Sequence, residues 1–366
     1  MKHRLYRLAL AACFVLGNHV VGAASTSSDC SAPLAAAKSE KRLLIYSNVA
    51  DYNWKPILDA FARRYSWIRV ETLDMGPSEA FERYYAESAA GKSSADLIVT
   101  GAPDAWQRFV QRAQVEPYSS CEAASLPAWS MPFEGLYTFS TDPMVLVYNK
   151  VLLGPSERPG SLGNLVAIAE ANPQRFKGKF ATYNAASHSF AYVIHWTVVH
   201  QQGEAGWNTL QRLAPFTRPE AGGSAMVEKV TTGEYVAAFY VSGVAAFPKL
   251  MNTKLEKLVG WSLIGDGTPV VTRGMAITKH AANKNAARLL LDFILSHEGQ
   301  VAAARGGMTP YREDVLDSEV PFFTYRKLKA HLGAPRNTIL TTYHPGLIEE
   351  REAFLDRWDG LFPMKK

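Results

Sequence analysis

The sequence predicts an α/β protein built as two lobes, and three observations carry that expectation. At 366 residues the chain is too long for one small core and suits two domains. Short apolar strands alternate with amphipathic helices across residues 43–103, joined by short polar links, as in a parallel-sheet unit. The same alternation restarts after residue 144.

The first 24 residues read as a secretory signal. Lys2, Arg4 and Arg7 form a basic start, an apolar run covers 8–16, and Val21-Gly22-Ala23-Ala24 fits a cleavage site after Ala23 or Ala24. A second reading is a lipoprotein box at Leu10-Ala11-Ala12-Cys13. The apolar run passes beyond Cys13 and Arg7 leaves little hydrophobic stretch before it, which favours the cleaved signal. The run falls short of the roughly 20 apolar residues of a membrane span, and no later segment reaches that length, so a soluble mature chain is expected.

Residues 25–40, rich in Ser and Ala, are expected to form a linker. Lobe 1 is assigned to 41–140, completed by about 260–310. It opens with a strand at 43–46, followed by Trp54, Ile57, Leu58 and Phe61 at helical spacing. A strand at 68–71, a helix at 81–90 stopped by Gly91, and a buried-type strand at 96–99 follow. Lobe 2 is assigned to 141–259, with strands at 144–148, 180–183 and 235–240 and a helix over 190–200. A helix at 285–296 carries Ala287, Leu290, Leu291 and Ile294 on one face. Residues 311–366 are expected to form a C-terminal helical segment.

Removing Lys2, Arg4 and Arg7 with the signal lowers the formal net charge from +5 to +2. That near-neutral balance gives no case for a nucleic-acid partner. Cys30 and Cys121 remain in the mature chain. In an oxidising compartment they either pair or stay as two free thiols.

In open parallel sheets, ligands bind beyond the carboxyl ends of the strands, where helix N-termini present free N–H groups. The loops there are Ser47-Asn48, Thr100-Gly101, Ser187-His188-Ser189 and Ser242-Gly243. All are small and polar, which suits close backbone approach to a ligand and also suits ordinary helix capping. Thr141, ahead of the strand at 144–148, joins these loops as a candidate ligand-binding residue.

Reactive constellations are missing from the sequence. There is no Gly-x-Ser-x-Gly elbow, no Ser-x-x-Lys, no His-Glu-x-x-His and no phosphate-binding Gly-x-x-x-x-Gly-Lys. Ser187 sits beside His188, but adjacent side chains in a loop diverge, which disfavours a nucleophile–base pair. No catalytic residue, cofactor or structural metal is expected, and Trp129 and Trp261 are left as either core or ligand platform.

Four stretches carry a family resemblance. They are Leu43-Leu44-Ile45-Tyr46-Ser47 with Asp59-Ala60-Phe61, then Ala90-Gly91-Lys92-Ser93-Ser94-Ala95-Asp96-Leu97, then Met144-Val145-Leu146-Val147-Tyr148-Asn149. The fourth is Arg273-Gly274-Met275-Ala276-Ile277-Thr278-Lys279, running into Leu291-Asp292-Phe293-Ile294 and His297-Glu298-Gly299-Gln300. Over residues 41–320 the chain resembles the bacterial extracellular solute-binding proteins of the ferric-iron type, within the type 2 periplasmic binding-protein fold. The resemblance implies two α/β lobes joined by crossing strands, a ligand cleft between them, and lobe closure that a membrane permease reads.

The departures bear on the ligand. The adjacent tyrosine pair of ferric-binding members falls here on Gly243 and Val244, with Tyr240 a few residues away. The places of a family His and Glu fall near Ala50 and on Gly101. The anion-facing segments survive better, as Ser187-His188-Ser189-Phe190 and Gly222-Gly223-Ser224. The expected function is therefore the monomeric, periplasmic substrate-binding component of an ABC importer, taking a small anionic organic solute, phosphorylated esters included. Ferric iron is the alternative cargo, and presentation of a ligand to a membrane receptor kinase is an alternative role.

Overall fold

A computed structural model of the chain describes residues 32–250 and 253–363. The expected signal peptide and the alternative lipoprotein box at Cys13 lie outside the described residues, as does Cys30. Cys121 is disulfide-bonded.

Ten strands run as β1 Arg42–Ser47, β2 Arg69–Asp74, β3 Leu97–Thr100, β4 Leu136–Asn149, β5 Phe180–Tyr183, β6 Thr217–Glu220, β7 Ala237–Ser242, β8 Val259–Ser262, β9 Thr268–Ile277 and β10 Thr338–Leu340. In lobe 1, β1 lies parallel between β2 and β3, and β9 runs antiparallel to β3. In lobe 2, β5 lies parallel between β6 and β7, and β7 runs antiparallel to β4.

Two long strands join the lobes. The first half of β4 pairs with β9, from Leu136 opposite Ala276 to Pro143 opposite Val270. Its second half leaves β9 and pairs with β7 and β8, beginning with Met144 opposite Ser242. Pro143 stands at this switch, where the loss of one N–H donor is tolerated. Both strands are buried along their whole length, including Thr138, Ser140, Thr141, Asp142, Thr272 and Arg273. Thr141, Asp142, Thr272 and Arg273 find hydrogen-bond partners at the crossing, whereas Thr138 Oγ1 and Ser140 Oγ have none among the described residues.

Helices cover the sheet because their apolar faces must be buried. The Asp51–Arg64 helix seats Trp54, Ile57, Ala60 and Phe61 in the core. A second, smaller cluster in lobe 1 stacks Phe81 edge-on to Trp106 at 4.9 Å and Tyr84 against Phe109 at 5.2 Å. Trp129 packs on Tyr311 and Tyr325, and Trp261 on Phe247 and Phe323, so both belong to packing clusters.

The two ends of the chain depart from expectation. Within the expected linker, Ala32–Ala37 is a helix against the Lys284–Leu295 helix, with Ala37 fully buried. Over the described part of the expected C-terminal helical segment, residues 311–363 are not helical throughout. β10 adds to β9, pairing Thr338 with Thr268, and the Arg351–Leu361 helix lays Phe354 on Tyr192 and Trp207 of lobe 2. Arg351 also reaches Asp104 of lobe 1, so this segment straps both lobes.

Candidate functional site

A cleft of about 360 Å³ lies between the lobes. Lobe 1 contributes the turns after β1 and β2, through Asn48, Ala50 and Asp74. Lobe 2 contributes Tyr183 at the end of β5, His188 and Phe190 at the start of the Ser189–Gln202 helix, and residues 221–224 after β6. Ser242 and Val244 follow at the end of β7, and Arg273 of β9 closes the floor. The walls are therefore built at the carboxyl ends of parallel strands, where helix starts converge.

Arg273 is the centre of this floor and is only 3% exposed. Its Nη1 donates to Asn48 Oδ1 at 2.9 Å and its Nη2 to Asp142 Oδ2 at 2.7 Å. Its guanidinium lies 5.0 Å from the Phe190 ring centroid, a cation–π distance. The Nε–H is screened from solvent and has no acceptor among the described residues. Asp142, fully buried, also accepts from the Ser242 hydroxyl at 2.6 Å and the Val244 N–H at 3.2 Å. One buried ion pair on the crossing strands thus holds a cleft loop of each lobe.

The lobe 2 wall depends on glycine. Gly222 precedes the Gly223–Thr232 helix, whose first N–H groups have no helical acceptor. A Cβ on Gly223 would stand 2.3 Å from Tyr183 Oη, so the helix start approaches the phenol only because the side chain is a hydrogen. Burial first, then the Asp142 charge, pushes the Tyr183 phenol well above its ordinary range, so it stays protonated. Burial also raises Asp74, reinforced by Asp51 and opposed by Arg273, and it lowers His188.

Four of the residues expected from sequence line the cleft: Asn48, His188, Ser224 and Ser242. Asn48 Oδ1 is occupied by Arg273 and by the Gly101 N–H, which leaves its amide NH2 without a partner among the described residues. Ser242 donates its proton to Asp142, so toward the cleft its hydroxyl can only accept.

The remaining expected residues serve the scaffold instead. Ser47 is buried and ties Trp54 Nε1 and the Val49 backbone into the turn after β1. Thr100 is buried beneath the wall, and its carbonyl accepts from Trp106 Nε1. Gly101 lies behind Phe190, whose ring a Cβ would meet at 2.7 Å. Thr141 Oγ1 donates to the Thr309 carbonyl inside the crossing strand. Ser187 is exposed and closes a turn onto the Asn184 carbonyl. Ser189 is turned inward and donates to Asp104 of lobe 1. In a loop entering a helix, alternate side chains point to opposite sides, so His188 takes the cleft and its two neighbours do not.

At the family's iron-ligand places, Gly243 and Val244 open the Gly243–Leu250 helix and Ala50 lines the lobe 1 wall. Tyr240 is buried in lobe 2, its ring 5.3 Å from that of His195. Among the described residues no group of three His, Cys, Asp or Glu could hold a metal ion.

This architecture is that of a two-lobed periplasmic binding protein. The chain belongs to the bacterial extracellular solute-binding protein family, which it matches over residues 57–329. It is similar to iron uptake protein A1 of Synechocystis sp., at 22% identity over 303 residues, covering 80% of this chain and 81% of that one. It superposes on the substrate-binding protein of an ABC transporter from Agrobacterium tumefaciens with a TM-score of 0.79 and 23% identity, covering 88% of this chain and 94% of that one. It superposes on AfuA of Actinobacillus pleuropneumoniae, solved with fructose 6-phosphate, with a TM-score of 0.69 and 19% identity, covering 88% and 99%. No helix among the described residues is long and apolar enough to cross a membrane.

Proposed function

We propose that the protein is the substrate-binding component of an ABC importer and that its cargo is a small anionic organic solute, phosphate esters included. The observation that carries this reading is Arg273. Its side chain borders the cleft and its Nε–H lacks an acceptor among the described residues, and an anion that reaches it when the lobes move would supply one. The Asn48 amide NH2 and the free N–H groups around Gly223 and Ser224 are further donors on opposite walls of the same cleft. All three donor sets are neutral or already ion-paired, so an anion meets hydrogen bonds without a large excess of fixed positive charge. Closure of the lobes then brings the Asn48 and Gly223 walls onto one ligand, and the permease reads the closed form.

Ferric iron is the competing cargo, because the curated relative is named as an iron uptake protein. Gly243 and Val244 at the family's tyrosine places argue against it. Calorimetric titration with inorganic phosphate, fructose 6-phosphate and ferric citrate separates the two. The anion reading expects one organic anion per chain and at least a tenfold loss of affinity in Arg273→Lys, since a single ammonium cannot span the separate positions that the planar guanidinium reaches. One ferric ion per chain, bound without any organic anion, would contradict it.

A further inference from the structure

His188 uses both of its ring nitrogens. Nδ1 accepts the Ala191 N–H at 3.1 Å and so caps the Ser189–Gln202 helix. Nε2 lies 2.8 Å from the Ala221 carbonyl. An amide N–H only donates and a carbonyl only accepts, so the ring is the neutral tautomer with its proton on Nε2. Ala221 immediately precedes Gly222 and Gly223, where the next cleft-lining helix begins. One imidazole therefore ties together the two helix starts that form the lobe 2 wall.

We propose that His188 is a positioning residue that holds residues 221–224 in ligand-receiving geometry through its two ring nitrogens and releases them when the imidazole is protonated. The inference deepens the anion reading and rests on it for the identity of the ligand, while the behaviour of the turn itself does not.

The chemistry of release follows from the donor count. A protonated ring carries a hydrogen on Nδ1, which then faces the Ala191 N–H, donor against donor. The ring must turn away, and turning withdraws Nε2 from the Ala221 carbonyl. The turn is then left with the Met226 N–H on the Gly222 carbonyl and the Lys249 ammonium on the Ser224 carbonyl. Burial keeps His188 below the usual histidine range, so release belongs to the acid side.

The other titratable groups around the ring are accounted for. Tyr52 and Asp74 line the cleft from lobe 1, and Tyr183 and Arg273 line it beside His188. Glu220, next to Ala221, is engaged by Lys229 and Tyr235. Burial raises Asp74, which faces the same cleft from lobe 1, so a variant must separate its titration from that of His188.

Hydrogen exchange of residues 219–227 in the full mature protein, from pH 7.5 to 4.5 and corrected for intrinsic rates, provides the test without any ligand. His188→Asn is the informative variant, because asparagine caps a helix but is too short to reach Ala221. Wild type should lose protection in this segment by about tenfold in acid, the loss of one or two neutral hydrogen bonds. His188→Asn should show the loosened segment at every pH while its melting temperature stays near that of wild type. It should also bind inorganic phosphate or fructose 6-phosphate about tenfold more weakly than wild type at pH 7.5, and that difference should close in acid as the wild-type imidazole is protonated. Equal protection of the wild-type segment at both ends of the range would overturn the proposal, as would a His188→Asn segment as protected as wild type. If neither probe binds wild type, the anion reading fails and the exchange result alone decides the role of His188.

Discussion

Arg273 Nη2 lies 2.7 Å from Asp142 Oδ2, and both side chains are sealed from solvent where β4 and β9 cross between the lobes. From this pair, hydrogen bonds reach Asn48 in lobe 1 and Ser242 and Val244 in lobe 2. Removing one partner leaves an uncompensated buried charge, which costs about 3–5 kcal/mol. Urea unfolding of Asp142→Ala should show a loss of that size. A loss below about 1 kcal/mol would mean that the pair carries little of the junction.

Gly223 and Tyr183 form a second testable contact. The Cβ of Gly223→Ala would collide with the phenol oxygen, so the variant should lose about 1–3 kcal/mol and bind ligand more weakly. Tyr183→Phe removes the colliding oxygen. In a double-mutant cycle the Gly223→Ala loss should be smaller in the Tyr183→Phe background, and strict additivity would argue against the contact.

Serines two positions apart should behave differently. Ser187→Ala, at an exposed turn, should change stability by no more than about 0.5 kcal/mol. Ser189→Ala leaves Asp104 one donor short and should cost about 1.5–3 kcal/mol in thermal unfolding. Neither change removes a cleft contact, whereas Ser224→Ala should weaken ligand binding while leaving the melting temperature of the ligand-free protein in place.

Acid stability should depend on His195. This side chain is fully buried, and burial pushes its pKa down to about 3. The unfolded chain takes up the proton near pH 6.5, so the native state binds fewer protons between those values. Stability is present above about pH 6.5 and falls as pH drops toward 3, by about 1.4 kcal/mol per unit from this group. The difference in unfolding free energy between wild type and His195→Gln should narrow steadily across that window. A constant difference would show that His195 does not titrate on unfolding.

Much of the fold was legible because local periodicity is a local property. Leu43 to Tyr46, Trp54 to Phe61 and Ala287 to Ile294 each show their buried face within one element. The crossing strands were harder. The first half of β4 carries Thr138, Ser140, Thr141 and Asp142, which alternate in no hydrophobic pattern although both faces of the strand are buried. β10 is three residues long and exists only because β9 offers it an edge. In the site, small polar loops mark the right end of the sheet but not the direction of each side chain, so Ser187 and Ser189 are expected where, of the three, only His188 lines the cleft. Arg273 stood in view within the family stretch, yet its role depends on Asn48 and Asp142, 225 and 131 residues away in the chain. A sequence signal for it would have been a charged residue inside an apolar run, Val270-Val271-Thr272-Arg273-Gly274-Met275.

The central claim is that the cleft takes an organic anion through Arg273. Native mass spectrometry of protein purified gently from its own host, without added ligand, tests it most directly. The account predicts one organic anion per chain on the wild-type protein and an empty Arg273→Lys variant that remains folded. A wild-type chain carrying one ferric ion and no organic anion, or an Arg273→Lys chain that retains the same solute in full, would contradict it.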